Sequence, residues 1–431
     1  MDINQVKLFY NTVFYLKPTQ VYYRVYYFIK NKFFSKKIIK RKLVKSNPVA
    51  WKQFIINKTS YVNKNNSFLF LNISHSFSEE IDWNYDEYGK LWTYNLNYFD
   101  FLNQKEISKK DGIKLIENYV QNDTLLTYGK ESYPISLRGI NWIKFLSKKQ
   151  IKNQDFDNTL YNHYHILLNN LEYHLLGNHL LENAFSLLFG AYYFRHKEFY
   201  SKSKEILISE LNEQILDDGG HFELSPMYHQ IMLYRILDCI QLIKLNKWID
   251  DDLINLLDMS ASKMLSWLFQ VTFKNGDIPI VNDSAIDIAP TTKELFHYGK
   301  LLGINKKNIK LSDSGYRMFK SDKYELFMDL GDVGASYQPG HVHSDTFNFI
   351  LYKNNQPFIV DTGTSTYEKN ERRQLERSTS SHNTVTICDY DQTQIWGGFR
   401  VGKRAGIISL TESDNKFSSS HDGYKNIGII H

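Results

Sequence analysis

Apolar positions along this 431-residue chain keep mostly helical spacing to about residue 305 and then change it. In residues 3–15, Val6, Phe9, Tyr10, Val13 and Phe14 recur at the three- and four-residue intervals that line one face of a helix. Pro18-Thr19 reads as a helix start, and Val21 to Phe34 continues as a second, strongly aromatic segment carrying Arg24, Lys30 and Lys32. From about 85 to 305 the pattern is helical, most clearly over 158–176, 179–196, 201–216, 226–245 and 252–269. Short breaks between such segments predict antiparallel neighbours, with turns at Gly219-Gly220 and Asn275-Gly276-Asp277.

Near 306–315 the spacing shortens. Residues 316–319, 324–328, 347–352, 358–360 and 384–387 are short, β-rich runs bounded by Gly, Asn and Asp. The expected organisation is multidomain α+β. A basic, aromatic N-terminal segment (1–84) precedes a helical domain (85–308) and an antiparallel sheet domain (309–431). No fixed-period repeat and no low-complexity linker interrupts it.

Composition narrows the function classes. With 42% hydrophobic and 23% charged residues the chain is globular, and it is long enough for more than one core. The net charge of +5 is modest, but its basic part is concentrated: before residue 46 the only acid is Asp2, against Lys36, Lys37, Lys40, Arg41 and Lys42. No nucleic-acid motif accompanies these residues, so nucleic acid is not an expected partner. A basic amphipathic segment fits peripheral contact with an anionic membrane; packing on the body of the protein is the alternative. Cys239 and Cys388 form no metal or redox motif. No apolar run approaches the length of a membrane span, and the early apolar stretches, broken by charges, do not read as a signal peptide.

Two clusters carry candidate chemistry. In the first, Gly177 closes one helix and Asn178-His179 opens the next, where unpaired N–H groups favour an anion. Glu182, three residues on, is placed to orient the His179 imidazole. Downstream, Ser225-Pro226 opens a helix, and Tyr228 near its start is surrounded by His221, Glu223 and His229. In the second cluster, His341 and His343 alternate, so on an extended segment both face one side. Asp361 ends one predicted strand and His382 opens another, over 382–387. Imidazoles and a carboxylate at adjacent strand ends are able to form a three-ligand zinc site; a hydrogen-bonded polar set is the plainer alternative.

Taken in order, the stretches Asn178-His179-Leu180-Leu181-Glu182-Asn183, Ser225 to His229, Gly340 to Asp345 and Ser381 to Val385 resemble the heparinase II/III-like superfamily of polysaccharide lyases. Weaker likenesses run through Leu91 to Tyr98, Ser136 to Trp142, Gly276 to Pro279 and Asn282 to Ser284. The resemblance implies an incomplete α/α toroid followed by an antiparallel β-sandwich. It implies a uronate-containing polysaccharide as substrate, with Asn178 and His179 neutralising the uronate carboxylate. Tyr228 would be Brønsted base or acid, and His341 would assist proton transfer from the other side of the cleft. Glu182, Arg138, Asn141 and Trp142 would contact substrate. His343, Asp361 and His382 would hold a mainly structural zinc.

The reaction such a set performs is β-elimination. Loss of the C5 proton creates a dianion, which donors on the carboxylate stabilise, each typically by about 10²–10³ in rate. A tyrosine base, with an ordinary pKa of about 10, would need a nearby cation such as His341 or Arg138 to lower it. Breaking C4–O then leaves a 4,5-unsaturated sugar. A uronyl C5-epimerase, or a non-catalytic glycan-binding or surface-polysaccharide assembly protein, is the alternative function. Where the chain ends, family members usually continue with further strands, so an incomplete sandwich is expected. The family implies the cell envelope or periplasm; cytoplasmic or membrane-peripheral is the alternative.

Overall fold

The computed structural model describes residues 3–33, 45–250, 252–413 and 416–431. Phe34 and the basic run Lys36 to Lys42 lie outside the described residues. The described chain clusters into two compact units, and neither is continuous in sequence. One gathers Met1–Tyr22, Leu211–Tyr234 and Asp258–His431; the other gathers Tyr23–Glu210 and Arg235–Leu257. They are called the sheet unit and the helical unit.

The first helices are α1 (Ile3–Val13) and α2 (Pro18–Phe33). An antiparallel meander follows: β1 (Tyr61–Val62), β2 (Ser67–Phe70) and β3 (Ile73–Ser76). These strands, two to four residues long, are too short for a periodic signal, and the N-terminal segment was not expected to hold them. Phe68 and Phe70 face inward from β2 and pack against Phe101 and Trp92.

The helical unit is built on α3 (Lys90–Tyr98), α4 (Lys109–Asn122), α5 (Ser132–Lys148), α6 (Gln154–Asn169), α7 (Gly177–Phe194) and most of α8 (Lys197–Gln214). Nearly every side chain of α5 and α7 is buried, including polar and charged ones such as Arg138, Asn141, Lys144, Glu182 and Asn183. Tyr164 of α6 wedges between them because Gly139 and Gly190 carry no side chain. A Cβ would lie 2.5 Å from the Tyr164 hydroxyl at Gly139 and 2.7 Å from its ring at Gly190. α6 begins and ends earlier than its apolar spacing suggested. The Asn153 side chain accepts from the N–H groups of Asp155 and Phe156, capping the helix there.

Two helices run through the unit boundary: α9 (Pro226–Leu245) and α10 (Leu253–Val271). In the sheet unit they are followed by α11 (Thr292–Leu301), started by a Thr291/Glu294 capping box. The strands β4 (Tyr316–Lys320), β5 (Tyr324–Asp329), β6 (Phe349–Lys353) and β7 (Gln356–Ile359) form one antiparallel sheet in sequential order. Its register pairs Tyr316 with Asp329 and Met328 with Phe349. After the short α12 (Glu371–Arg377) come two hairpins: β8 (Ile395–Trp396) with β9 (Arg400–Val401), and β10 (Ile407–Ser413) with β11 (Lys416–His421).

One expected strand is absent. Residues 382–387 form bends after a turn at Thr379–Ser381, with one isolated bridge, Ile387 to Tyr390. Asn383 explains this. Its side chain donates to the carbonyls of Phe349 and Val360, and its N–H donates to Asn348 Oδ1, so local side-chain bonds replace a ladder.

Candidate active site

Both candidate helix starts are entered through a leucine at positive φ. Leu224, before Ser225-Pro226, has φ 55°, and Leu176, before Gly177, has φ 64°. Bulky residues rarely adopt this region, and such strain gathers at functional sites.

In the sheet unit, Ser225 Oγ accepts the N–H of Tyr228 and donates to the Asp283 carbonyl, which ties the α9 start to the 282–284 turn. Tyr228 is half-buried, and its ring lies flat on His341, with centroids 3.9 Å apart and planes 13° from parallel. Its hydroxyl is 3.1 Å from that of Tyr367. His341 Nδ1 sits 2.5 Å from Glu223 Oε2, a carboxylate only 1% exposed. In the neutral tautomer that donates Nδ1–H to Glu223, Nε2 is the acceptor. His341 is thus stacked beside Tyr228 and does not face it across a gap.

Burial pushes the Tyr228 hydroxyl well above its ordinary pKa. The Tyr367 hydrogen bond works against this, Asp283 and Glu223 add to it, and Arg373 opposes it. The phenol is therefore neutral at rest, contrary to the expectation of a lowered value. The cation in this neighbourhood is Arg373, fully buried on α12. It makes a two-pronged pair with Asp283, its Nη2 2.7 Å from Oδ2. Burial would raise the Asp283 carboxyl, but bonds from His343 and Arg373 hold it well below the usual range. Beside Tyr367 opens a cavity of about 300 Å³, lined by Lys369, Trp396, Phe399 and Arg400 among others.

His341 and His343 do not share a face, because 341–343 is a loop rather than a strand. His343 turns to Asp283, its Nε2 2.9 Å from Oδ1. His382 Nδ1 lies 2.8 Å from Asp361 Oδ2, and the His343 and His382 rings are 5.2 Å apart. The three expected zinc ligands are therefore neighbours. His343 Nδ1 and His382 Nε2 are buried with no hydrogen-bond partner, as open metal donors would be. Asp361 fits less well, since its oxygens already accept from His382, Asn348 and Gly363. Among the described residues no group of three or more His, Cys, Asp or Glu is arranged to hold an ion.

In the helical unit, Asn178 is 2% exposed and the His179 side chain 32%. Glu172 orients His179, its Oε1 3.2 Å from Nδ1, while Asn183 holds the other carboxylate oxygen at 2.9 Å. Glu182 was expected in that role. It points into the core instead, where Arg235 Nε donates to it at 2.7 Å, beside the buried Lys144–Asp238 pair. Arg138, Asn141 and Trp142 are also core residues, at 0%, 2% and 0% exposure. Arg138 donates to the Asn97 carbonyl and lies over the Tyr119 ring. Asn141 binds the Tyr98 carbonyl and Asp100, and Trp142 packs edge-on against Phe99. All three brace the unit and leave no face for a sugar.

Spacing could not have found Tyr367 or Arg373, which reach Tyr228 and Asp283 from distant sequence, whereas Glu172, in the turn before α7, is close enough to His179 along the chain to have been found. Asp283 stood within a stretch already singled out, but its pairing with Arg373 carried no local signal.

Residues 132–311 match the heparinase II/III N-terminus, and residues 304–431 match the heparinase II/III-like C-terminal domain. A heparin-sulfate lyase of Bacteroides stercoris is 24% identical over 288 residues, 59% of this chain and 41% of that protein. One from Pedobacter heparinus is 25% identical over 248 residues, 49% of this chain and 36% of that protein. These matches span about two fifths or less of the relatives' length. The crystal structure of heparinase III covers 81% of this chain and 62% of that one, at 17% identity and TM-score 0.57. A second heparinase III gene product covers 82% and 64%, at 19% identity and TM-score 0.53. The fold is accordingly an incomplete α/α toroid followed by an antiparallel β-sandwich, and the chain belongs to the heparinase II/III-like superfamily.

Proposed function

We propose that this protein is a polysaccharide lyase that cleaves a uronic-acid-containing glycan by β-elimination. The observation that carries the reading is the Tyr228–His341 stack, with Tyr367 on the phenol and Glu223 on the imidazole. A neutral phenol beside an oriented imidazole is an acid–base pair of the kind elimination needs.

In this reading His341 Nε2 takes the C5 proton, the C5–H electrons form the C4=C5 bond, and the C4–O bond breaks. Tyr228, kept protonated by burial, gives its proton to the departing oxygen. Asn178 and His179 at the α7 start stabilise the charge that builds on the carboxylate, supported by the helix N–H groups. The cavity beside Tyr367 offers aromatic faces with Lys369 and Arg400, which suits an anionic sugar ring. Zinc at His343, Asp361 and His382 belongs to the same proposal. Its role would be to tie three loop segments together, and no step runs through it. Metal analysis of the purified protein, with melting temperature before and after chelation, tests it: unchanged melting in a metal-free sample removes the zinc.

The deciding experiment is a panel of uronate polymers followed by the ultraviolet absorbance of a 4,5-unsaturated product. Absorbance that grows with time supports the lyase. Solvent deuterium entering C5 without that absorbance would make the protein an epimerase, and binding with neither would make it a glycan-binding protein.

A further inference from the structure

The N-terminal helices are mounted with their apolar faces outward. In α1 the side toward the protein carries Leu8, Asn11 and Thr12; Asn11 bonds Gln394 at 3.2 Å, and Thr12 accepts from the Trp396 indole at 3.0 Å. Phe9, Tyr10 and Phe14 are 52%, 65% and 70% exposed. In α2 the inward stripe is Gln20, Tyr23, Tyr27 and Lys30, spaced three, four and three residues apart. Gln20 donates to the Tyr337 carbonyl, Tyr27 to the Leu171 carbonyl, and Lys30 to the Asn169 carbonyl. The opposite arc carries Val21, Val25, Phe28, Ile29 and Phe33, between 44% and 68% exposed.

An ordinary surface helix does the reverse and buries its apolar stripe. Clustered apolar exposure on a helix marks an interaction surface. Charge selects the occupant. Before residue 46 the only acid is Asp2, while Arg24 and Lys32 are exposed on α2 and Lys36, Lys37, Lys40, Arg41 and Lys42 follow it in sequence. No described helix is long and apolar enough to cross a membrane. We infer that α1 and α2 lie on an anionic lipid bilayer, with aromatic side chains inserted at the headgroup boundary and the basic residues over the lipid charge. This surface is independent of the proposed chemistry.

The test is co-sedimentation of the full chain with vesicles of phosphatidylcholine alone or mixed with phosphatidylglycerol, at low and high salt. The chain should bind the anionic vesicles, and each basic residue engaged should add about a factor of five. High salt, or omission of phosphatidylglycerol, should weaken binding. The triple variant Val25→Ser, Phe28→Ser, Phe33→Ser should bind at least about tenfold more weakly, having lost apolar burial. Its melting temperature should be unchanged, because all three side chains are solvent-exposed. Equal partition of variant and parent, or no binding to anionic vesicles, overturns the inference. So does a dimer in solution that the variant dissolves, since the outward faces would then belong to a second copy.

Discussion

The starts of α7 and α9 look alike locally and behave differently. Each follows a leucine at positive φ, and each carries an imidazole or phenol held by a carboxylate or a neighbouring ring. At α7 the candidate group His179 is one-third exposed and is held by Glu172, with the Tyr133 ring beside it. At α9 Tyr228 meets the half-buried Tyr367 and a set of buried groups, Glu223, His341, Asp283 and Arg373. The difference teaches that a helix start supplies donors cheaply, whereas tuning a proton-transfer group takes burial and several partners drawn from distant sequence.

If the α9 start is the proton-transfer site, removing only the Tyr228 hydroxyl should do the greatest damage. Tyr228→Phe should fold normally and lose roughly 10²–10⁴ in elimination rate. Turnover retained in the folded variant would reduce the two helix starts to the same binding role. Next in size is the contrast between the two acids near α7. Glu182→Ala removes the carboxylate that Arg235 Nε donates to, leaving Asp238 at 3.8 Å, and should cost about 3 kcal/mol in denaturant unfolding. A stable Glu182→Ala protein would mean that the pair is not the brace described.

Acid should distinguish the regions too. Burial lowers His221 to about 4 and His229 to about 3, both beside the α9 start. Their unfolded value is about 6.5, so below it the unfolded chain binds more protons. Their stabilisation is whole above about pH 6.5 and declines as pH falls toward 4, by about 1.4 kcal/mol per unit for each histidine. Unfolding free energy measured across that range should slope accordingly; a flat profile would show these imidazoles are charged in the fold. The smallest effect belongs to Glu172→Gln, which removes the charge that orients His179 but keeps its shape. It should lower kcat about tenfold, near 1.4 kcal/mol, with little change in melting. A change in KM alone would make His179 an ordinary contact.

Much of the fold was legible in the chain. The three- and four-residue spacing marked α7, α9 and α10 to within two residues, and the short β-rich runs marked β4 to β7, because these patterns are set by neighbours along the chain. The motifs around Asn178, Tyr228 and His341 stood out as candidate chemistry for the same reason. What misled was proximity in sequence taken for proximity in space. Glu182 is one turn from His179, yet turns to Arg235; Arg138 is a cation, yet is sealed in the core; His341 and His343 are two apart, yet part company in a loop. The arginine near Tyr228 and the outward mounting of α1 and α2 were decided by tertiary structure alone. A helix pattern states that one face is apolar, but which face meets the protein depends on what the rest of the chain presents to it. A buried charge likewise takes whichever partner the packing brings within reach, because leaving it unpaired costs more than any local preference can offset.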